Sequence, residues 1–181
     1  MLLFSNPHPH SIYQGMFLSP NTRGRENPFW PVMEVARWLP IAKENRTPMQ
    51  LADICQEGQH TGPFELIFYC YYVFPTDFPD DIRVIFGSEY FSEYIEPESE
   101  EEFMRTLQKT SAEAVVTFNK GIFNLVSNEP IEHYVERLIE GGLIQSQIKG
   151  IDRYVPIFLT SQQAGGIASN IWKFARPVSI P

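Results

Sequence analysis

The stretch Glu65–Phe74 constrains the fold more than any other. Leu66, Ile67, Phe68, Tyr69, Tyr71, Tyr72, Val73 and Phe74 form an almost unbroken apolar run, rich in β-branched and aromatic side chains. Such a run has no polar side to offer to water, so it reads as a strand covered on both faces. Pro75 stops it. Ala114-Val115-Val116-Thr117-Phe118 is a second strand of this kind, and Met1-Leu2-Leu3-Phe4-Ser5 is a shorter third. That third strand runs into Asn6-Pro7-His8-Pro9-His10, where two prolines each remove an N–H and fix φ.

Helical patterns lie between the strands. A loop containing Gly15 and Gly24 leads to Asn27, which can cap a helix, and Pro28 suits the first helical position. Phe29, Val32, Met33, Ala36 and Leu39 predict a helix running to about Lys43, ended or kinked by Pro40. Pro48 opens a second, Met49–Gln56. Pro79–Phe86 reads as a short helical turn with acids near its positive end. Tyr90–Glu98 reads as an exposed loop, after which Ser99 and Glu102 form a capping box. Asn119-Lys120-Gly121 begins another helix. Asn128 caps a further one, Pro130–Glu140, with Gly141-Gly142 at its end. Leu143–Ile148 and Tyr154–Thr160 predict a hairpin, and a last helix is expected from Ile167 to Ala175. Strands alternating with helices predict one α/β domain over 1–181: a three-layer α/β/α sandwich with a central, mainly parallel sheet.

The net charge of −8 argues against a general nucleic-acid binder, but its distribution weakens that objection. Residues 1–52 carry five basic and three acidic side chains; residues 53–102 carry one and thirteen; residues 103–181 carry eight and six. The acid is concentrated in the middle. Cys55 and Cys70 make neither a disulfide framework nor a zinc set, and read as free thiols in a reducing cytoplasm. His8 and His10 alone do not make a metal site, and no metal or cofactor is expected. The apolar run at Leu66–Phe74 is far short of a membrane span, so a soluble, intracellular chain is expected. No serine-nucleophile elbow, phosphate-binding Gly-Lys loop or dinucleotide fingerprint is present.

The stretch from Ser5 to Trp30 resembles the mismatch-specific uracil/thymine DNA glycosylases, a branch of the uracil-DNA glycosylase superfamily. Ser5-Asn6-Pro7-His8 stands for that family's strand-end motif G-x-N-P-G, and Asn27-Pro28-Phe29-Trp30 for its N-x-F-W. Phe118-Asn119-Lys120-Gly121-Ile122-Phe123 is similar to a later L-G-K-x-A-F pattern, with Asn119 replacing glycine; asparagine tolerates the positive φ that glycine would supply. The superfamily's last motif, N-P-S-G or H-P-S, has no match at Thr160–Gly166.

The resemblance implies excision of uracil or a related damaged or mismatched base from duplex or single-stranded DNA by a monomeric enzyme, through a flipped base and an oriented water. Asn6 would orient the water, with Ser161 beside it as the other catalytic residue. Phe29 would stack on the base, and His8 would narrow a pocket shaped by Asn27, Trp30, Tyr72, Gln162 and Gln163. Arg23, Arg25, Asn119, Lys120, Gly165 and Gly166 would meet the nucleic acid. The alternative is a protein of the same fold that has lost the chemistry and binds nucleic acid, a free base or nucleotide, or a protein partner.

Overall fold

The computed structural model describes residues 1–57, 62–134 and 144–160. The chain divides into two compact units: the first holds Met1–Pro9, residues 67–134 and Ile144–Leu159, and the second holds the described residues from 10 to 66 and Thr160.

The first unit contains a five-stranded sheet. Its strands are β1 (Leu2–Phe4), β2 (Phe68–Cys70), β3 (Val115–Thr117), β4 (Ile144–Gln147) and β5 (Pro156–Leu159), in the order β2-β1-β3-β5-β4. All neighbours are parallel except β4 and β5, which form the expected antiparallel hairpin. This is an α/β fold with a mainly parallel central sheet, consistent with the three-layer α/β/α sandwich that the alternation of patterns predicts. The register puts Leu3, Tyr69, Val115, Thr117, Ile157 and Leu159 on one face. Phe103 packs on that face, its ring 6.0 Å from Tyr69 and 5.9 Å from Tyr71.

β2 is shorter than its apolar run. Backbone bonds still follow β1 on either side of the three paired residues, from Leu2 N to Ile67 O (2.7 Å), from Tyr71 N to Phe4 O (2.8 Å) and from Tyr72 N to Ser5 O (2.8 Å). β1 is too short to pair with more, and β2 has no second strand beside it among the described residues.

The helices of this unit are α4 (Pro79–Phe86), α5 (Ser88–Tyr90), α6 (Glu96–Lys109) and α7 (Lys120–Val126). α4 lies where the sequence places it. Its first turn is held by the Asp81 carboxylate, which accepts from Phe78 N at 2.9 Å. The loop expected at Tyr90–Glu98 is instead helical. A π-helical turn, Phe91–Ile95, joins α5 to α6, so helical backbone runs unbroken over 88–109. Pro97 lies inside this run; it lacks an N–H, and its ring crowds the carbonyl four residues back in an α-helix. The wider turn immediately before Pro97 accommodates it. Ser99 is therefore no cap; it is buried inside α6. The expected cap at Asn128 is also replaced. Ile131–Tyr134 is a 3₁₀ turn whose Ile131 N donates to Asn124 Oδ1 at 2.8 Å.

The second unit holds α1 (Pro9–Gln14, its first residue in the other unit), α2 (Phe29–Val35), a 3₁₀ turn (Lys43–Asn45) and α3 (Pro48–Glu57). α1 occupies part of the expected loop. It ends at Gly15, whose φ of +62° lets Met16 N reach Ser11 O (3.1 Å) and Gly15 N reach Ile12 O (3.1 Å). α2 stops well before Lys43 by the same device: Arg37, at φ +57°, takes the left-handed position, Trp38 N reaches Met33 O (3.0 Å) and Arg37 N reaches Glu34 O (2.9 Å). Met33 and Trp38 are both buried there, so packing outweighs the strain on Arg37. The buried Arg46 guanidinium ties the unit together through Glu26 (2.7 Å), Glu34 and the Ile41 carbonyl (3.0 Å).

Among the described residues, no helix is long and apolar enough to cross a membrane.

Candidate functional site

The connections around the sheet mark one place for a site. The chain leaves β1 toward β2 on one side, and leaves β3 toward β5 on the other. In open α/β sheets, ligands bind beyond the carboxyl ends of the strands where the winding reverses. Here the winding reverses between β1 and β3, which marks the candidate crevice. The loops that follow these two strands carry Ser5-Asn6-Pro7-His8 and Phe118-Asn119-Lys120, and the rings of Phe4 and Phe118 lie 5.7 Å apart.

Asn6 is half-buried and its carboxamide is fixed. Nδ2 donates to Thr76 O (2.7 Å) and Thr76 Oγ1 (2.8 Å), with a longer approach to Pro7 O (3.4 Å). Oδ1 accepts from Ser5 Oγ (3.0 Å). Thr76 is buried, donates its hydroxyl to Phe78 O (2.8 Å) and sends its N–H to Pro7 O (3.2 Å). A carbonyl can only accept, so Thr76 O requires the amide's NH₂ side and settles which way the group points. The amide oxygen retains one acceptor position beyond the Ser5 hydroxyl.

His8 stands at the exposed lip, with Nε2 3.2 Å from Asp77 Oδ1; both side chains are more than half exposed, so solvent screens the pair. Sequence reasoning missed Thr76 and Asp77. The signal was available: if Glu65–Phe74 pairs in parallel with β1, the residues after Pro75 emerge beside those after Ser5.

Across the crevice, Asn119 caps α7. Its Oδ1 accepts from Ile122 N at 3.0 Å. Its φ is −110°, so it does not stand in for a left-handed glycine as expected; the position calls for a cap, which asparagine supplies. Lys120 is exposed at the first turn of α7. Tyr72 is buried, its ring 5.0 Å from Tyr71 and 5.5 Å from Phe91, and desolvation pushes its hydroxyl up to about 12. Burial likewise raises the Cys70 thiol to about 12.

The remaining candidates belong to the second unit or lie outside the described residues. Phe29 and Trp30 belong to the core of the second unit, 1% and 3% exposed, with rings edge to face at 5.2 Å. Trp30 Nε1 donates to Leu18 O (2.9 Å). Asn27 caps as expected, accepting from Phe29 N at 3.0 Å. Arg23 and Arg25 are exposed in a loop ordered by Asn21 Oδ1, which accepts both of their backbone N–H groups at 3.0 Å. Ser161, Gln162, Gln163, Gly165 and Gly166 lie outside the described residues.

A cavity of about 360 Å³ opens in the first unit, and Asn6 is not among the residues that line it. The described residues contain no cluster of three or more His, Cys, Asp or Glu side chains placed to hold a metal.

No protein-family model and no curated protein matches the chain. The chemistry must therefore be read from the site itself. A carboxamide locked through its nitrogen presents an oxygen in a fixed direction, which suits it to hold a water molecule or a polar ligand edge. It is too weak a base to remove a proton, so it assists only reactions in which the leaving group departs largely unaided.

Proposed function

We propose that the chain is a DNA base-excision glycosylase that hydrolyses the N-glycosidic bond of uracil or a related damaged base at the crevice between β1 and β3. The observation that carries this reading is the double anchoring of the Asn6 amide nitrogen on Thr76, which leaves Oδ1 oriented and able to accept. In the proposed reaction the bond between the sugar C1′ and the base nitrogen breaks first, and its electron pair leaves with the base. A water held by Asn6 Oδ1 then adds to the sugar cation. Its proton passes to solvent, and the base anion is reprotonated on release. Preorganisation of the water is the enzyme's contribution at Asn6. The start of α7, with Lys120 exposed, lies where a phosphate could rest.

The test is cleavage of an oligonucleotide containing one uracil, opposite guanine, opposite adenine or single-stranded, followed by alkali. Strand scission is expected, and Asn6→Ala lowers its rate by about 10²-fold or more. Absence of scission on all three substrates beside an active control rejects the assignment.

One observation favours a second reading, in which the fold binds without chemistry. A stacking ring needs an open face, and Phe29 is 1% exposed. A salt-dependent shift of the same oligonucleotide without base release would select that reading.

A further inference from the structure

We propose that the face formed by the π-helical turn, α4 and α6 is a docking site for an arginine- or lysine-rich segment of a partner protein. The proposal does not depend on the glycosylase reading, because it uses none of the crevice residues.

The face combines three features. The first is the cavity. Tyr69, Tyr71, Phe74 and Ile95 line it beside Glu98, Glu101, Glu102 and Arg105, and of the three rings Tyr69 and Phe74 are partly exposed. At about 360 Å³ it falls in the ~300–1,000 Å³ range of ligand pockets. Aromatic rings beside carboxylates suit a guanidinium or ammonium group, which gains from the rings and from the charges together.

The second feature is a row of rings leading away from the cavity. Phe74 meets Phe86 at 4.8 Å, Phe86 stacks on Tyr90 at 6.1 Å, and Tyr90 stacks on Tyr94 at 4.8 Å. Tyr90 and Tyr94 are 50% and 56% exposed, and Val84 and Ile85 are exposed nearby on α4. A row of this extent exceeds what a small amine covers, so the occupant is a chain segment.

The third feature is charge. Residues 88–102 contain seven glutamates and no lysine or arginine. Among the described residues Glu89, Glu93 and Glu98 have no cationic partner. That excludes a nucleic-acid backbone and selects a basic partner. The protein already satisfies two of its own arginines here. Arg83 lies over the Phe91 ring at 4.8 Å, and Arg105 pairs with Glu101 (2.7 Å) and Glu102 (2.5 Å) at the cavity. Arg105 thus occupies carboxylates that an incoming arginine would take over.

The test is fluorescence anisotropy with the full chain and a labelled arginine–glycine repeat peptide, at low salt and then with rising salt. Binding that weakens with salt is expected. The combined change Glu98→Gln, Glu101→Gln and Glu102→Gln weakens it about tenfold or more. Tyr90→Ala with Tyr94→Ala weakens it about fivefold. Arg105→Ala tightens it about threefold, by freeing two carboxylates. Glu44→Gln, Glu113→Gln and Glu132→Gln together remove the same charge elsewhere and leave it unchanged. The proposal is overturned by absence of binding at low salt or by tyrosine variants that bind as the parent does. It is equally overturned by a control triple that loses as much as the cavity triple, or by displacement of the peptide by spermine at equal total charge. Thermal melts of each variant confirm that the fold persists.

Discussion

Two asparagines follow two adjacent parallel strands, and the fold uses them differently. Asn119, after β3, spends its side chain three residues away, on Ile122 N at the start of its own helix. Asn6, after β1, spends its side chain seventy residues away, on both oxygens of Thr76. The first bond is local and stabilises a helix end. The second fastens two loops at the carboxyl end of the sheet and fixes the direction of an amide oxygen. The same residue type therefore serves as a cap in one loop and as a tertiary clamp in the other.

Mutation can break or sharpen this contrast. The largest effect is expected for Asn6→Ala, which leaves the Thr76 carbonyl without its donor and should cost about 2–3 kcal/mol in urea denaturation. Thr76→Val removes the hydroxyl but keeps the carbonyl contact, so about 1–2 kcal/mol is expected, with Thr76→Ser largely restoring stability. A double-mutant cycle between the two positions should give a coupling above about 0.5 kcal/mol. Additive losses would break the clamp interpretation. Asn119→Ala should cost about 1 kcal/mol, while Asn119→Asp or Asn119→Ser stays close to the parent.

The smallest effect is a dependence on pH. Neither amide titrates, so both penalties should hold constant from neutral pH up to the ordinary thiol range. Above it, Cys70 and Tyr72 bring their own term. Burial raises both folded values to about 12, so the stability they lend is complete below the unfolded values and fades as pH climbs toward 12. Cys70→Ala should flatten the early part of that decline, as pH-dependent urea midpoints would record.

The contrast also explains what could be read from the sequence. The cap at Asn27, the helix start at Asn119 and the β4–β5 hairpin were legible because their partners lie a few residues away. The Asn6–Thr76 clamp was not, because no local pattern announces a partner in another crossover. β2 was read too long and as covered on both faces; it is a half-buried strand at the sheet edge, and its paired length follows that of its one neighbour among the described residues, β1. α2 was read too long because Arg37 does in the left-handed position what glycine usually does. Helical backbone over 88–98 was missed because Ser99 and Glu102 imitate a helix start one turn into α6.

That last element has a consequence of its own. Its inward side chains Phe91, Ile95, Ser99, Phe103 and Leu107 recur every fourth residue. Four residues overshoot one α-helical turn by about 40°, so the whole series would wander by about 160° in a uniform helix. One surplus residue taken up in the wide turn recovers about 100° of that drift. Removing a single residue from 91–95 would thus act as a rotation, swinging the glutamates and tyrosines upstream of it out of line with the cavity. In this region chain length, more than residue identity, sets which chemistry faces outward.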